Sequence, residues 1–306
     1  MVDLEALLGR TSRTFALSIP RLPEPTRRAV TLAYLLFRIA DTFEDAAAWP
    51  KVTRAEALDD FAALLTDAAV ASGQGVPSRA VELAARWVDA RPCSHQGYLD
   101  LVGATPEVLA AVVTLDAPSR AVVLRHAVRT AVGMKGFVMR STEGGALALG
   151  ALGELRDYCY VVAGIVGELL TELFVLHAPA LDTVETELRG NARDFGEGLQ
   201  LVNILKDAAD DARDGRVYLP TGVPRSDVLA LARADLGKAR RYVLALQSAG
   251  APRGFVEFTA LPVVLARATL DKVELDGPGA KLPRAEVFAL AAGLDARLDQ
   301  GAAALD

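Results

Sequence analysis

TRRAVTLAYLLFRIADTFEDAAA, residues 26–48, carries apolar side chains at helical spacing and shows no strict alternation, so it reads as a long α-helix. Pro25 stands near its start and Pro50 lies beyond its end, which is where proline is tolerated. The segment is apolar nearly all round, the pattern of a buried helix. One stripe interrupts it. Tyr34, Arg38, Asp41 and Asp45 follow one another at spacings of 4, 3 and 4, which places all four on a single face. Two carboxylates and a guanidinium on a buried face are costly unless something pairs with them. Arg38 can neutralise one aspartate. The other, with Glu44 nearby, calls for a further cation, and Mg²⁺ suits it because that ion takes one or two carboxylates plus phosphate oxygens and water.

The same helical periodicity continues outward from this stretch. Helices are expected at about 4–15, 54–71, 78–90, 94–102, 106–115, 118–140, 153–177, 182–212, 225–248, 252–274 and 283–304, separated by Gly, Pro and Ser. STEGGALALGAL, residues 141–152, reads as a flexible connection. No linker longer than roughly fifteen residues divides the chain, so residues 1–306 read as one all-α domain, a helical bundle. Composition agrees, with 52% hydrophobic but only 6% aromatic residues, a diet that favours helices over sheets. A net charge of −6 argues against nucleic acid, which is gripped through basic patches. Two cysteines and three isolated histidines offer neither a disulfide framework nor a zinc set. The acidic start, MVDLEALLGR, is unlike a signal peptide, and no apolar run is read as approaching a membrane span. A cytoplasmic protein is expected.

A second stripe lies in LQLVNILKDAADDARDG, residues 199–215, where Gln200, Asn203, Asp207 and Asp211 recur at spacings of 3, 4 and 4. Asp210 adds an acid, while Lys206 and Arg216 add positive charge. Acid pairs four apart are common on solvated faces, and Asp59/Asp60 and Asp295/Asp299 are read that way. The two stripes differ because apolar residues flank both and further polar groups stand in line. Two metal sites are the better reading.

Longer motifs now carry a resemblance. TSRTFALSIPRLPEPTRRAVTLAYLLFRIADTFED resembles the opening of the squalene/phytoene synthase family, with DTFED at its first acidic motif. LQLVNILKDAADDARDGRVYLP is similar to the second, NxxxDxxED followed by a GRxYxP turn, with Asp210 where the family more often has Glu. DYCYVVAGIVGELL resembles the YCxxVAGxVG helix between them, and FVEFTALPVVLARATL the helix that closes the pocket. The resemblance implies an isoprenoid-synthase bundle around a central apolar cavity and head-to-head (1′–1) coupling of two prenyl diphosphates. It implies Mg²⁺, or Mn²⁺, held by Asp41, Asp45, Asp207 and Asp211, with Glu44, Asp210 and Asn203 assisting. Ser12, Arg13, Phe15, Arg38, Gln200, Asn203, Lys206 and Arg216 would serve the diphosphates. Asn203 and Gln200 could instead be hydrogen-bonding glue between helices. Tyr158 and Tyr34 would stand beside the reacting carbons, where a phenol ring can stabilise cationic charge. Gly164 and Gly167 are read as permitting close helix packing.

Within the family, TSRTF and DTFED are closer to the squalene synthase pattern, which implies two farnesyl diphosphates, presqualene diphosphate, and reduction by NADPH. Lys281 and Arg284 in GAKLPRAEV would clamp an NADPH phosphate, or form a solvated basic loop; no GxGxxG fingerprint is present. LPV at 261–263, where squalene synthases often carry IPQ, keeps phytoene and dehydrosqualene synthase as alternatives. A head-to-tail prenyltransferase or terpene cyclase fits the YCxxVAG and NxxxD combination poorly. A non-catalytic assembly factor would have lost the acidic motifs. Release of a hydrocarbon product implies peripheral membrane contact.

Overall fold

The computed structural model describes residues 3–12, 15–142, 147, 149–213 and 216–306, apart from the side chain of Ala68. Among the described residues the regular structure is helical and no strand occurs. The chain forms two compact units, Met1–Pro20 with Glu24–Leu147, and Arg21–Pro23 with Ala148–Asp306. The boundary falls in the stretch read as a flexible connection.

The first unit contains α1 (Leu4–Thr11), α2 (Phe15–Ser18), α3 (Thr26–Glu44), α4 (Lys51–Leu65), α5 (Ala68–Ser72), α6 (Arg79–Asp89), α7 (Gln96–Gly103), α8 (Thr105–Val113) and α9 (Ala117–Arg140). A single helix was expected over 4–15. Instead Ser12 adopts extended geometry, and its hydroxyl accepts a hydrogen bond from the Phe15 amide at 2.9 Å, capping a new helix. The central helix is α3, as its all-round apolar character requires. Leu32, Leu35, Leu36, Ile39 and Phe43 are fully buried, each stabilising the fold by about 2 kcal/mol. Its C-terminal end is held in an aromatic cluster, with Phe43 4.7 Å from Trp87 and 6.1 Å from both Trp49 and Phe61. The Trp49 indole N–H donates to the Ala90 carbonyl at 2.8 Å. This cluster fixes the turn on which Asp41 and Asp45 stand.

The second unit contains α10 (Leu152–Cys159), a π-helical segment (Tyr160–Gly164), α11 (Ile165–His177), α12 (Glu185–Arg213), α13 (Arg225–Ser248), α14 (Arg253–Asp276) and α15 (Arg284–Asp299). One α-helix was expected over 153–177; the π turn divides it. A helix with one wider turn re-aims the side chains on either side, and such turns recur at functional sites. The 26-residue run Leu152–His177 is long and apolar enough to cross a membrane, which corrects the expectation that no run approaches that length. Past Asp157 the run carries only two acids, Glu168 and Glu172, so an 18-residue window stays apolar on average, and half of that window is buried within the protein. It crosses α12 at glycine. A methyl at Gly167 would be driven into the Ala192 carbonyl, and one at Gly196 into that of Ala163. Gly167 thus permits close packing, as read; Gly164 meets the Tyr160 ring first.

Candidate active site

The first acidic face begins with α3, which delivers Tyr34, Arg38 and Asp41 in line, with Asp45 capping the helix. Arg38 pairs with Asp41 at 3.2 Å. Its guanidinium carbon lies 5.7 Å from the centre of the Tyr34 ring and 5.4 Å from that of Tyr98, which comes from α7. The Nε of Arg38 is buried and lacks a hydrogen-bond partner, a donor ready for an anionic oxygen. Tyr34 donates its hydroxyl to the Thr11 carbonyl at 2.7 Å and packs on Phe15, ring centres 5.5 Å apart. Ser12 and Phe15 are therefore brought to this face, while Arg13 lies outside the described residues. Burial pushes the Asp41 carboxyl up to about 6, with Asp45 adding to the rise against the pull of Arg38. Asp41 and Asp45 stand close enough to raise the Asp41 carboxyl, and two such carboxylates suit a divalent cation completed by phosphate oxygens and water. Glu44 is buried, and its carbonyl accepts from the Arg54 guanidinium.

The second face lies at the end of α12. Lys206 reaches both Asn203 Oδ1 at 3.2 Å and Asp207 at 3.1 Å. Asp210 pairs with Arg213 and, at 3.4 Å, with Lys281. Arg216 pairs with Asp211 at 3.5 Å, and its backbone N–H returns to the Asp211 carbonyl at 2.8 Å. Below them a small pocket of about 60 Å³ is lined by Ile204, Asp211, Arg216 and Tyr218 among others. Tyr218 stacks on Tyr158, ring centres 5.0 Å apart and planes within 20°. Asp211, Arg216, Tyr218 and Tyr158 thus form one connected run. Gln200 is half-buried one turn before Asn203. Lys281 sits on the second acidic face, drawn there by a hydrogen bond from the Gly279 N–H to the Lys206 carbonyl at 2.7 Å. Arg284 stands exposed at the start of α15.

Among the described residues, one group of three acids brings its oxygens close enough to share a metal ion: Asp194, Glu197 and Asp235, within 4.8 Å of one another. Among the described residues neither stripe does so by itself; an ion there would need substrate oxygens and water to complete its shell. The buried trio already contains cations. Arg156 lies 3.2 Å from both Asp194 and Glu197, and the Lys238 ammonium 2.6 Å from Asp194. Resident bases compete with a divalent ion at this trio, as Lys206, Arg216 and Lys281 do at Asp207, Asp211 and Asp210 on the second stripe.

Sequence reasoning missed three things here. Tyr98 is invisible because it reaches Arg38 from a helix about sixty residues away. Tyr218 stood in the quoted GRVYLP turn, but only folding stacks it on Tyr158. Glu197 carries no signal in the sequence, because its partner Arg156, and the Lys238 that pairs with its neighbour Asp194, meet these acids only in the fold.

Comparison with known proteins places the chain. The squalene/phytoene synthase family model matches residues 8–227. A Botryococcus braunii squalene synthase is 26% identical over 208 residues, covering 68% of this chain and 39% of its own. A bifunctional lycopene cyclase/phytoene synthase from Colletotrichum graminicola is 31% identical over 250 residues, 78% of this chain and 39% of its own. The chain thus spans about two fifths of the length of these curated relatives. The structure of TcSQS with its ligand E5700 superposes with a TM-score of 0.74 at 25% identity, covering 97% of this chain and 87% of that one. The all-α fold, the order of the motifs and a match across more than two thirds of the sequence agree: the chain belongs to the squalene/phytoene synthase family.

Proposed function

We propose that the chain, acting as one catalytic domain, is a prenyltransferase that joins two farnesyl diphosphates head to head (1′–1) and proceeds through presqualene diphosphate to squalene. The observation that carries this reading is the connected run Asp211–Arg216–Tyr218–Tyr158, in which phosphate-binding chemistry adjoins an aromatic surface. Mg²⁺, or Mn²⁺, bound at Asp41/Asp45 and at Asn203/Asp207/Asp211 would supply the positive charge that lets a diphosphate leave. Glu44 and Asp210 would support those ligands.

The chain's own residues supply the rest. Arg38, with its buried, unmatched Nε, donates to diphosphate oxygens; Lys206 and Arg216 supply further donors. Ser12, Arg13, Phe15, Gln200 and Asn203 orient the same groups. The ring faces of Tyr158 and Tyr34 stabilise carbocation character, and the Tyr158 hydroxyl moves a proton toward the departing diphosphate. Apolar helix faces keep water from the cation. NADPH would furnish the reductive step, with Lys281 and Arg284 exposed enough to reach a phosphate.

The relative from Colletotrichum supports a second reading, a phytoene- or dehydrosqualene-type product formed without NADPH. We read the run Leu152–His177 as a core helix of a cytoplasmic enzyme that releases its product by touching membranes peripherally. Asp41→Ala and Asp207→Ala test the reading. Both variants should lose turnover while keeping the helical circular dichroism of the parent. Undiminished activity in either overturns the metal and diphosphate assignment.

A further inference from the structure

We infer that the buried ion network centred on Glu197 is a positioning device for Tyr158, with Arg156 and Glu197 as its acting residues. The inference rests on the proposed reading that Tyr158 faces the reacting carbons.

The geometry makes the case in three steps. First, the α ladder of α10 gives way to a wider turn at its end. The helix runs directly into the π turn Tyr160–Gly164, so its end is not locked to α11 by a regular α ladder. Second, Arg156 ties it sideways to α12. Its Nε and Nη2 donate to Glu197 Oε2 at 3.3 and 3.2 Å, and Nη2 also reaches Asp194 Oδ1 at 3.2 Å. A planar fork gripping two carboxylates resists rotation as well as displacement. Third, Arg156 and Tyr158 stand two positions apart, about 200° round the helix. Fixing Arg156 on one side therefore sets the direction of Tyr158 on the other, where its ring stacks on Tyr218.

The far end of the network is anchored on α11, α12, α13 and the π turn. Glu197 is fully buried and accepts from Arg193 as well as Arg156. Arg193 lies 4.6 Å from the centre of the Tyr160 ring, and Tyr160 donates to Glu168 of α11 at 3.1 Å. Lys238 of α13 bridges Asp194 at 2.6 Å and Asp235 at 3.8 Å. The glycine crossing leaves the α12 backbone no slack against the π turn, because a methyl at Gly196 would sit 2.9 Å from the Gly164 nitrogen. An apolar core would hold these helices together with less electrostatic cost. What charged forks add is a single orientation, and α12 is the helix that carries Asn203, Asp207 and Asp211.

Arg156→Met tests this with two independent readouts. Tetranitromethane nitration of Tyr158, followed by peptide mass spectrometry, reports its orientation whatever the protein catalyses. In the parent, Tyr158 is buried and stacked, and should stay protected. In Arg156→Met it should nitrate several-fold faster. With farnesyl diphosphate and Mg²⁺, kcat should fall about a hundredfold, the scale of an ångström-sized misplacement, while KM stays within about twofold. Arg156→Lys should recover part of both. Leu58→Ala, a core truncation in the other unit, should lower Tm but leave Tyr158 protected. If Arg156→Met does not fold, Glu197→Gln keeps the shape and should shift both readouts the same way by less. Protection and kcat unchanged in Arg156→Met or Glu197→Gln overturns the inference, and so does equal exposure of Tyr158 in Leu58→Ala. A parent inactive on every prenyl diphosphate sinks the functional reading, and nitration still decides the positioning claim.

Discussion

Gly196→Ala should destabilise the protein although alanine is the better helix former. The added methyl would be driven into the Ala163 carbonyl oxygen and would sit 2.9 Å from the Gly164 nitrogen. Ordinary contact at a methyl begins near 3.4 Å, so α12 and the π turn must part by at least half an ångström along the crossing. Both clashing atoms are backbone, so no side chain can swing aside. Overpacking of this kind costs about 3 kcal/mol. Removing a glycine from a helix interior returns about 1 kcal/mol. The net loss is about 2 kcal/mol, which lowers Tm by about 3 °C. Gly190, on the same helix, provides the internal control. A methyl there meets nothing within 4 Å, so Gly190→Ala should raise stability by about 0.7 kcal/mol. Thermal and urea unfolding followed by far-UV circular dichroism read both. A Gly196→Ala protein that melts at or above the parent would refute the close crossing.

Phe43→Ala should cost about 4 kcal/mol in urea unfolding, because Phe43 is fully buried against Trp49, Phe61 and Trp87. Tyr98→Leu removes one ring beside Arg38 and should raise KM for the prenyl diphosphate about threefold, with kcat little changed, while Tyr98→Phe should behave as the parent. Asp235 predicts a pH dependence. Burial and the charge of Asp194 push its carboxyl up to about 7, above the ordinary carboxylate value of about 4. The folded state therefore holds a proton that the unfolded chain has released, and stability should decline as pH rises from about 4 through 7, by at most about 4 kcal/mol. Asp235→Asn should flatten that decline in unfolding measured across the pH range, and a slope equal to the parent's would contradict the assignment.

Helix positions were legible in the sequence because apolar spacing and proline punctuation agree along most of the chain. The expected helix over 225–248 matches α13 at both ends. Departures arose where a local hydrogen bond or a backbone variation overrode periodicity. Ser12 turned away to cap α2, and the π turn after Cys159 leaves no mark in the apolar pattern. The acidic stripes were legible for the same reason as the helices, since residues three and four apart must share a face. Their partners were not. Nothing local links Tyr98 to Arg38, Tyr218 to Tyr158, or Arg156 to Glu197; only packing of separate helices makes those pairs. Lys281 illustrates the same limit, because its pairing with Asp210 on α12 is not written in the sequence of its own loop.

The central claim is tested most directly by the connectivity of the product. The protein is incubated with Mg²⁺ and farnesyl diphosphate labelled with ¹³C at C1, with and without NADPH, and the extracted hydrocarbon is examined by NMR. The account predicts a product in which the two labelled carbons are bonded to each other, with two diphosphates released for each molecule formed. It further predicts squalene when NADPH is present. Labelled carbons separated by unlabelled ones, a single diphosphate per product, or no hydrocarbon from any prenyl diphosphate would contradict it.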